Sequence, residues 1–138
     1  MLLNDMLDKV YNALISNEYI RSATFNAEEK DFRVVFYKQP ENADKSGTFI
    51  TIRPVDVPNE AYHGNDTELS INYLIQIDVE SKYRTTCKQV QYEIKNEMKK
   101  LGFGQMNGQG LDEYFAETNR FVDARRYRGN TKIYDTKY

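Results

Sequence analysis

The chain has 138 residues, of which 40% are hydrophobic and 29% charged, with 11 tyrosines, a formal net charge of -2 and a mean hydropathy of -0.75. This length fits a single domain over residues 1–138, and we expect no second domain. One cysteine, Cys87, and one histidine, His63, exclude an intramolecular disulfide and a cysteine-based zinc site and leave little acid–base chemistry.

No apolar run approaches the roughly 20 residues that span a bilayer. The first residues, MLLNDMLDKV, carry acidic side chains where a signal peptide carries basic ones. We therefore expect a protein that is made and used in the cytosol, with no membrane partner and no cofactor.

The first predicted element is an amphipathic helix over about residues 2–16. Apolar side chains recur there at spacings of three and four, which places them on one helical stripe: Leu3, Met6, Leu7, Val10, Tyr11, Leu14 and Ile15. Asn17 suggests the end of this helix, and residues 18–30 show no clean period. A short irregular link is therefore expected before the first strand.

Two strands are predicted next, joined by a loop at about residues 39–47. FRVVFYKQ, residues 32–39, is rich in β-branched and aromatic side chains and stops at Pro40. TFITIRP, residues 48–54, has a strand-like alternation and ends at Pro54. Because turn-forming residues separate the two runs, we expect a hairpin with a long tip.

The third strand has the clearest pattern in the sequence. LSINYLIQIDV, residues 69–79, places its apolar side chains on one face and polar ones on the other. Asp78 and Glu80 near its end look like paired carboxylates, but solvated strand-end charges explain them more simply. The loop before this strand, about residues 55–68, contains His63 and is longer than usual connections, so we expect it to have a function.

A second amphipathic helix follows, with Ser81 as a plausible N-cap and Gly102 as its stop. Its apolar stripe is formed by Cys87, Val90, Ile94, Met98 and Leu101. GFGQMNGQG, residues 102–110, holds four of the seven glycines and predicts a mobile loop at about residues 102–112. A last strand is expected from about Tyr114 to Arg128, with a polar tail from about residue 129.

The predicted order of elements is therefore helix, strand, strand, strand, helix, strand, or αβββαβ. One apolar sheet face and two amphipathic helices predict an α+β fold, a two-layer sandwich. We expect a mostly antiparallel four-stranded sheet with both helices on one face.

The sequence contains few features that are typical of an enzyme. No nucleophile-elbow, metalloprotease or phosphate-loop signature is present, and the glycines of residues 102–110 lack the lysine that reaches a phosphate. His63 could act as a general base only with a partner such as Asp56 or Asp66, and a solvated loop histidine is the simpler interpretation. Cys87 is expected to be a buried thiol rather than a nucleophile.

The segment FVDARRYRGN, residues 121–130, is the best functional candidate. Residues 120–138 hold six basic and two acidic side chains (+4), whereas the first 119 residues hold 13 basic and 19 acidic ones (-6). On a strand, one face would carry Arg120, Val122, Ala124, Arg126 and Arg128, and the other Phe121, Asp123, Arg125 and Tyr127. Neither face is cleanly apolar, so ordinary core packing does not explain the segment.

Three interpretations of this segment stay open at this point. A nucleic-acid-binding module would use the arginines on phosphates and stack a base on Tyr127. An edge strand would use the charges against aggregation. A surface for a partner protein would use arginine forks and tyrosine, which are enriched at interfaces.

The chain resembles the tail-completion proteins of long-tailed bacteriophages, which are tail terminators and head–tail joining proteins, especially those of phages that infect Gram-positive bacteria. The likeness lies in INYLIQIDVESKYRTTCKQVQYEIKNEMKKLGF, residues 71–103, where a long strand ending in IDVES leads into a long helix. It also lies in the final FVDARRYRGN strand after a variable loop. The order of elements extends the likeness over nearly the whole chain.

The resemblance implies a structural protein of the virion tail, at its head-proximal end, and not an enzyme. Members of the family assemble in the host cytoplasm into a ring, typically a hexamer, on the tail tube. The expected partners are other copies of the chain, the tail-tube protein, head-connector proteins, and DNA that passes through the ring. Subunit or partner contacts are expected at His63, Arg120, Asp123, Arg125, Arg126, Tyr127 and Arg128.

Overall fold

The computed structural model describes residues 6–39, 47–55, 59–61 and 70–132. Within these ranges there are three helices, α1 (Met6–Ile15), α2 (Glu18–Thr24) and α3 (Arg84–Lys100). The strands are β1 (Phe25–Asn26), β2 (Asp31–Phe32), β3 (Val34–Phe36), β4 (Phe49–Pro54), β5 (Asn59–Ala61), β6 (Ser70–Ser81), β7 (Gly104–Phe115) and β8 (Arg120–Lys132). The predicted α+β class is confirmed, whereas the predicted order αβββαβ is wrong.

The main sheet has six strands rather than the four predicted. Its order is β3-β4-β6-β8-β7, and β5 pairs with β6 beyond the end of β4. The two extra strands, β5 and β7, lie in segments that were predicted to be loops at residues 55–68 and 102–112. β6 and β8 form the central ladder, which runs from Ser70 opposite Lys132 to Ser81 opposite Phe121.

The predicted hairpin between residues 32–39 and 48–54 is wrong. β3 lies parallel to β4, with Val34 opposite Ile50 and Phe36 opposite Ile52. A hairpin would have required antiparallel pairing. The connection after β3 is instead long enough to return the chain to the start of β4, as parallel pairing requires.

Residues 18–32 are ordered, contrary to the irregular link that was expected there. α1 ends at Ile15, and Asn17 caps α2, because its side-chain oxygen accepts a hydrogen bond from the backbone nitrogen of Ile20 at 3.1 Å. β1 and β2 then form a small antiparallel hairpin. With only seven residues, α2 is too short to show a clear apolar period.

The glycine-rich segment forms most of β7, and residues 114–128 are a hairpin rather than one strand. Gly110 has a φ of 133°, and a Cβ atom there would lie 2.1 Å from the carbonyl oxygen of Ala124. Glycine is therefore needed for the close approach of β7 to β8 at this irregular point of the ladder. Sequence alone does not distinguish this use of glycine from a mobile loop.

The core lies between α1, α3 and one face of the sheet. Ile50 and Ile52 of β4 and Ile75, Ile77 and Val79 of β6 are buried there. They meet the apolar stripe of α3, which the sequence predicted: Cys87, Val90, Ile94 and Met98, with Leu101 packed at its edge. Each fully buried side chain of this size contributes about 1.5–3 kcal/mol to stability.

Two smaller predictions about chain boundaries are also corrected. Ser81 is not the N-cap of α3, since it ends β6 and Tyr83 occupies the cap position without a side-chain hydrogen bond. The strand β8 continues to Lys132, past the predicted start of a polar tail at residue 129. His63 and residues 133–138 lie outside the described residues. None of the helices in the described ranges is long and apolar enough to cross a membrane.

Candidate functional site

β8 carries six of the seven residues predicted at partner contacts, and its pleat divides them between the two faces of the sheet. Asp123, Arg125 and Tyr127 lie opposite Val79, Ile77 and Ile75, on the face that the helices cover. On the other face no described helix packs, and we call it the helix-free face. It carries Arg53 of β4, Gln76, Asp78 and Glu80 of β6, and Arg120, Val122, Ala124, Arg126 and Arg128 of β8.

Tyr127 belongs to the core. Its side chain is fully buried, and its hydroxyl donates a hydrogen bond to Oε1 of Gln91 on α3 at 3.0 Å. Gln91 is also fully buried and donates from Nε2 to the carbonyl oxygens of Ile77 and Asp123 at 2.9 and 2.8 Å. Burial raises the pKa of Tyr127 far above its ordinary value. The interpretation that core packing does not explain this segment is therefore wrong at Tyr127.

Asp123 is part of a charged cluster beneath α3. Its side chain is 3% exposed and accepts bonds from Lys88 Nζ at 2.5 Å and from Arg125 Nε at 2.9 Å. Lys88 also bonds Asp112, which lies opposite Asp123 on β7. Two carboxylates facing each other across a ladder would repel, and the lysine between them removes this cost.

Lys88 and Asp112 make the attachment of β7 dependent on pH. Burial opposes the charge on Lys88, but its bonds to both aspartates raise its pKa overall. The hydrogen bond from Lys88 lowers the pKa of Asp112. The contribution of Asp112 is thus complete above the pKa of about 4 that it has when unfolded, and it is lost as the pH falls through its lower folded value.

We predict that Lys88→Met lowers the free energy of unfolding and flattens its dependence on pH below about pH 4, because the largest cause that lowers the pKa of Asp112 is then removed. Urea unfolding between about pH 2.5 and 7 measures both effects. Lys95→Met on the same helix is the matched control, since Lys95 is exposed and no described residue forms an ion pair with it. If the free energy of unfolding fell equally steeply below about pH 4 in Lys88→Met and in the wild type, this role for Lys88 would be contradicted.

The side chain of Arg120 bonds other groups of the same chain. Its side chain is 2% exposed, and its Nε lies 3.3 Å from Oε1 of Glu80. The guanidinium also donates to the carbonyl oxygens of Gly47 and Glu80 at 2.5 and 3.0 Å. Arg120 thus ties the start of β8 to β6 and to the segment that precedes β4.

The arginines of the helix-free face are arranged in a row. Arg53 and Arg126 lie on either side of Gln76 in the register of the sheet, and Arg126 Nε donates to Gln76 Oε1 at 3.0 Å. Arg53 lies 3.4 Å from Asp78 and its side chain is 45% exposed. Arg128 is two residues further along β8 and is exposed. We call Arg53, Arg126 and Arg128 the basic row.

The carboxylates of the same face lie toward the β7–β8 turn. Asp78 and Glu80 are partly buried and paired with Arg53 and Arg120, which differs from the solvated charges expected. A cavity of about 260 Å³ opens beside them, lined by Gln39, Thr51, Asp78, Glu80, Phe115, Glu117, Thr118 and Val122. No group of three or more potential metal ligands is found among residues 6–39, 47–55, 59–61 and 70–132.

The predicted contact residues are therefore not brought together as one surface. Asp123 and Tyr127 are buried on the face that the helices cover, where Arg125 is paired with Asp123. On the helix-free face Arg120 is buried, and of the predicted contact residues there only Arg126 and Arg128 have side chains that are not buried. Their role in partner contacts stays a prediction. The same holds for His63. Cys87 is buried as expected, and burial is the first cause that raises its pKa to about 11, which disfavours the reactive thiolate.

Sequence reasoning missed the residues of β7 and their partner on α3. Asp112 and Lys88 were not singled out, because β7 was assigned to a loop and no pairing could be drawn for it. Gln91 was also missed, although a glutamine next to Val90 on the apolar stripe of a helix is a signal for a buried polar contact.

Comparison with known proteins adds information on the fold. No family model matches the sequence, and no curated protein matches it. The structure is similar to that of a chain in the virion of a native gene transfer agent (GTA) particle, with a TM-score of 0.57 and 11% sequence identity. The match covers 89% of this chain and 91% of that chain. At this identity the likeness shows a shared fold.

Proposed function

We propose that the chain is a structural protein of a tailed phage or phage-like virion, and not an enzyme. The observation that carries the proposal is the similarity in fold, over nearly the full length of both chains, to a chain of a gene transfer agent virion. The likeness of residues 71–103 and 121–130 to phage tail-completion proteins supports the same class independently.

Within this class, we propose a tail terminator or head–tail joining protein. Copies of the chain assemble as a ring, of the hexameric type found in that family, at the head-proximal end of the tail. The ring binds the tail-tube protein on one side and a head-connector protein on the other, and DNA passes through it without sequence-specific contacts. A ring of this kind requires two different complementary surfaces on each subunit. The exposed edge strand β7 and the basic row offer two such surfaces.

Analytical ultracentrifugation of the purified chain at rising concentration, alone and with tubes of the tail-tube protein from the same genome, tests this function. We expect closed rings of one defined subunit number, either free or at tube ends in electron micrographs. A chain that stays monomeric at all concentrations and binds no tube would contradict the proposal.

A nucleic-acid-binding module is the alternative that the exposed part of the basic row favours. Under that function, binding to duplex DNA would weaken steeply with salt, and Arg126→Gln with Arg128→Gln would reduce the slope by about two, one unit for each phosphate contact. Arg125→Gln is the control, because its charge is matched by Asp123. Absence of DNA binding at low salt would remove this alternative.

A further inference from the structure

The turn end of the β7–β8 hairpin is acidic. Residues 110–119 contain Asp112, Glu113 and Glu117 and neither lysine nor arginine, and every one of these ten residues is exposed. No described residue forms an ion pair with Glu113 or Glu117. We call residues 110–119 the acidic hairpin end.

The acidic hairpin end also exposes apolar area and unpaired backbone. Leu111 and Phe115 are each 38% exposed and point to the helix-free side, and Tyr114 is 50% exposed on the other side. β7 ends the order of the sheet, so no described strand pairs with its outer edge. A long edge strand with exposed apolar side chains is a template for another chain unless it is covered.

The negative charge of this edge determines which kind of protein surface can bind to it. Pairing of β7 with β7 of a second copy would bring Asp112 and Glu113 of both chains together, and like charges across a ladder are destabilising. A basic surface is the favourable counterpart. The chain itself carries one in the basic row, which lies away from the acidic hairpin end. The six residue-to-residue steps from Val122 to Arg128 on β8 span about 20 Å.

We propose that the acidic hairpin end of one subunit docks on the basic row of the next copy of the chain. Glu113 and Glu117 meet Arg126 and Arg128 of the neighbour, while Leu111 and Phe115 supply the apolar centre of the contact. This inference rests on the proposed ring and names the contact that builds it. Repeated head to tail, this contact uses two different surfaces of each subunit, and it builds a closed ring where the rotation between neighbouring subunits closes.

Paired charge reversals test the contact in the full chain. The hairpin variant is Glu113→Lys with Glu117→Lys, and the row variant is Arg126→Glu with Arg128→Glu. Each variant alone places like charges across the contact. We therefore expect the protein concentration at which half of the subunits are assembled to rise at least tenfold, which corresponds to about 1.4 kcal/mol. An equimolar mixture of the two variants, and one chain carrying all four changes, should both recover assembly.

In the mixture, a subunit of the hairpin variant forms favourable contacts only with subunits of the row variant, and the reverse also holds. Recovered rings should contain both variants in equal numbers, as native mass spectrometry measures. Rings formed normally by either variant alone, or a mixture that does not recover, would overturn the contact while leaving the proposed function intact. A wild-type chain that forms no rings, alone or on tail tubes, instead contradicts the proposed function.

A cross-linking measurement keeps the test valid where a charge reversal impairs folding. In Glu117→Cys with Arg128→Cys, the eight residue-to-residue steps from residue 120 to residue 128 alone span about 26 Å. A short thiol linker therefore does not join the two cysteines within one chain. Native Cys87 is buried and does not compete. We expect a ladder of covalent oligomers with the double variant and none with Glu117→Cys alone. Absence of the ladder in rings would overturn the contact.

Discussion

Arg120→Ala is expected to lower the free energy of unfolding by about 3–5 kcal/mol, the range for removal of one partner from a buried ion pair. Glu80 would keep a partly buried carboxylate without its guanidinium, and the carbonyl oxygens of Gly47 and Glu80 would lose their donor. The loss would loosen the start of β8 from β6. Urea unfolding followed by circular dichroism measures the change.

Arg128→Ala is the matched control for this prediction. It removes the same side chain from the same strand, but at an exposed position, where surface substitutions usually change stability by about 0.5 kcal/mol or less. Equal effects of the two substitutions would contradict the assignment of Arg120 to internal structure. The pair also separates the arginine that holds the fold from the arginine proposed to bind the neighbouring subunit.

Tyr127→Ala is expected to cost about 3–5 kcal/mol, because it leaves a cavity between the sheet and α3 where a fully buried ring now lies. Tyr127→Phe isolates the polar part of this contribution. It keeps the ring but leaves Oε1 of Gln91 without its donor, a cost of about 1–3 kcal/mol for an unsatisfied buried acceptor.

The hydrogen bond itself can be tested by a double substitution. Gln91→Leu combined with Tyr127→Phe replaces both polar groups, although Gln91 also bonds the carbonyl oxygens of Ile77 and Asp123. The double variant should therefore be less destabilised than the sum of the two single variants. Strictly additive free energies would show that the 3.0 Å contact contributes no coupling.

The apolar periods of the sequence predicted the main helix and the main strand of the core. The stripe from Cys87 to Leu101 and the alternation in residues 69–79 predicted α3 and β6 well, since burial of one face imposes these periods. The class of fold followed from them. α2 and β5 were missed because short elements carry too few positions for a period.

The candidate site was harder to predict because it depends on register. Arg120, Asp123 and Tyr127 lie in a segment where neither alternating face is cleanly apolar, and only the ladder with β6 reveals that each is buried. β7 was missed for a related reason, since glycine can mark either a loop or a strand whose backbone approaches its neighbour closely. The contrast between the acidic hairpin end and the basic row appears only once both are placed on the sheet.

The central ladder has a consequence for how the chain folds. β6 and β8 are neighbours in the sheet, yet Ser81 pairs with Phe121 and Ser70 pairs with Lys132, so α3 and β7 are synthesised between the two strands. The contacts of this ladder are nonlocal, and closing such large loops makes folding slower than in a fold of the same size built from local contacts. A nascent chain that ends before residue 120 exposes the edge of β6, and the final strand must arrive before the sheet is complete.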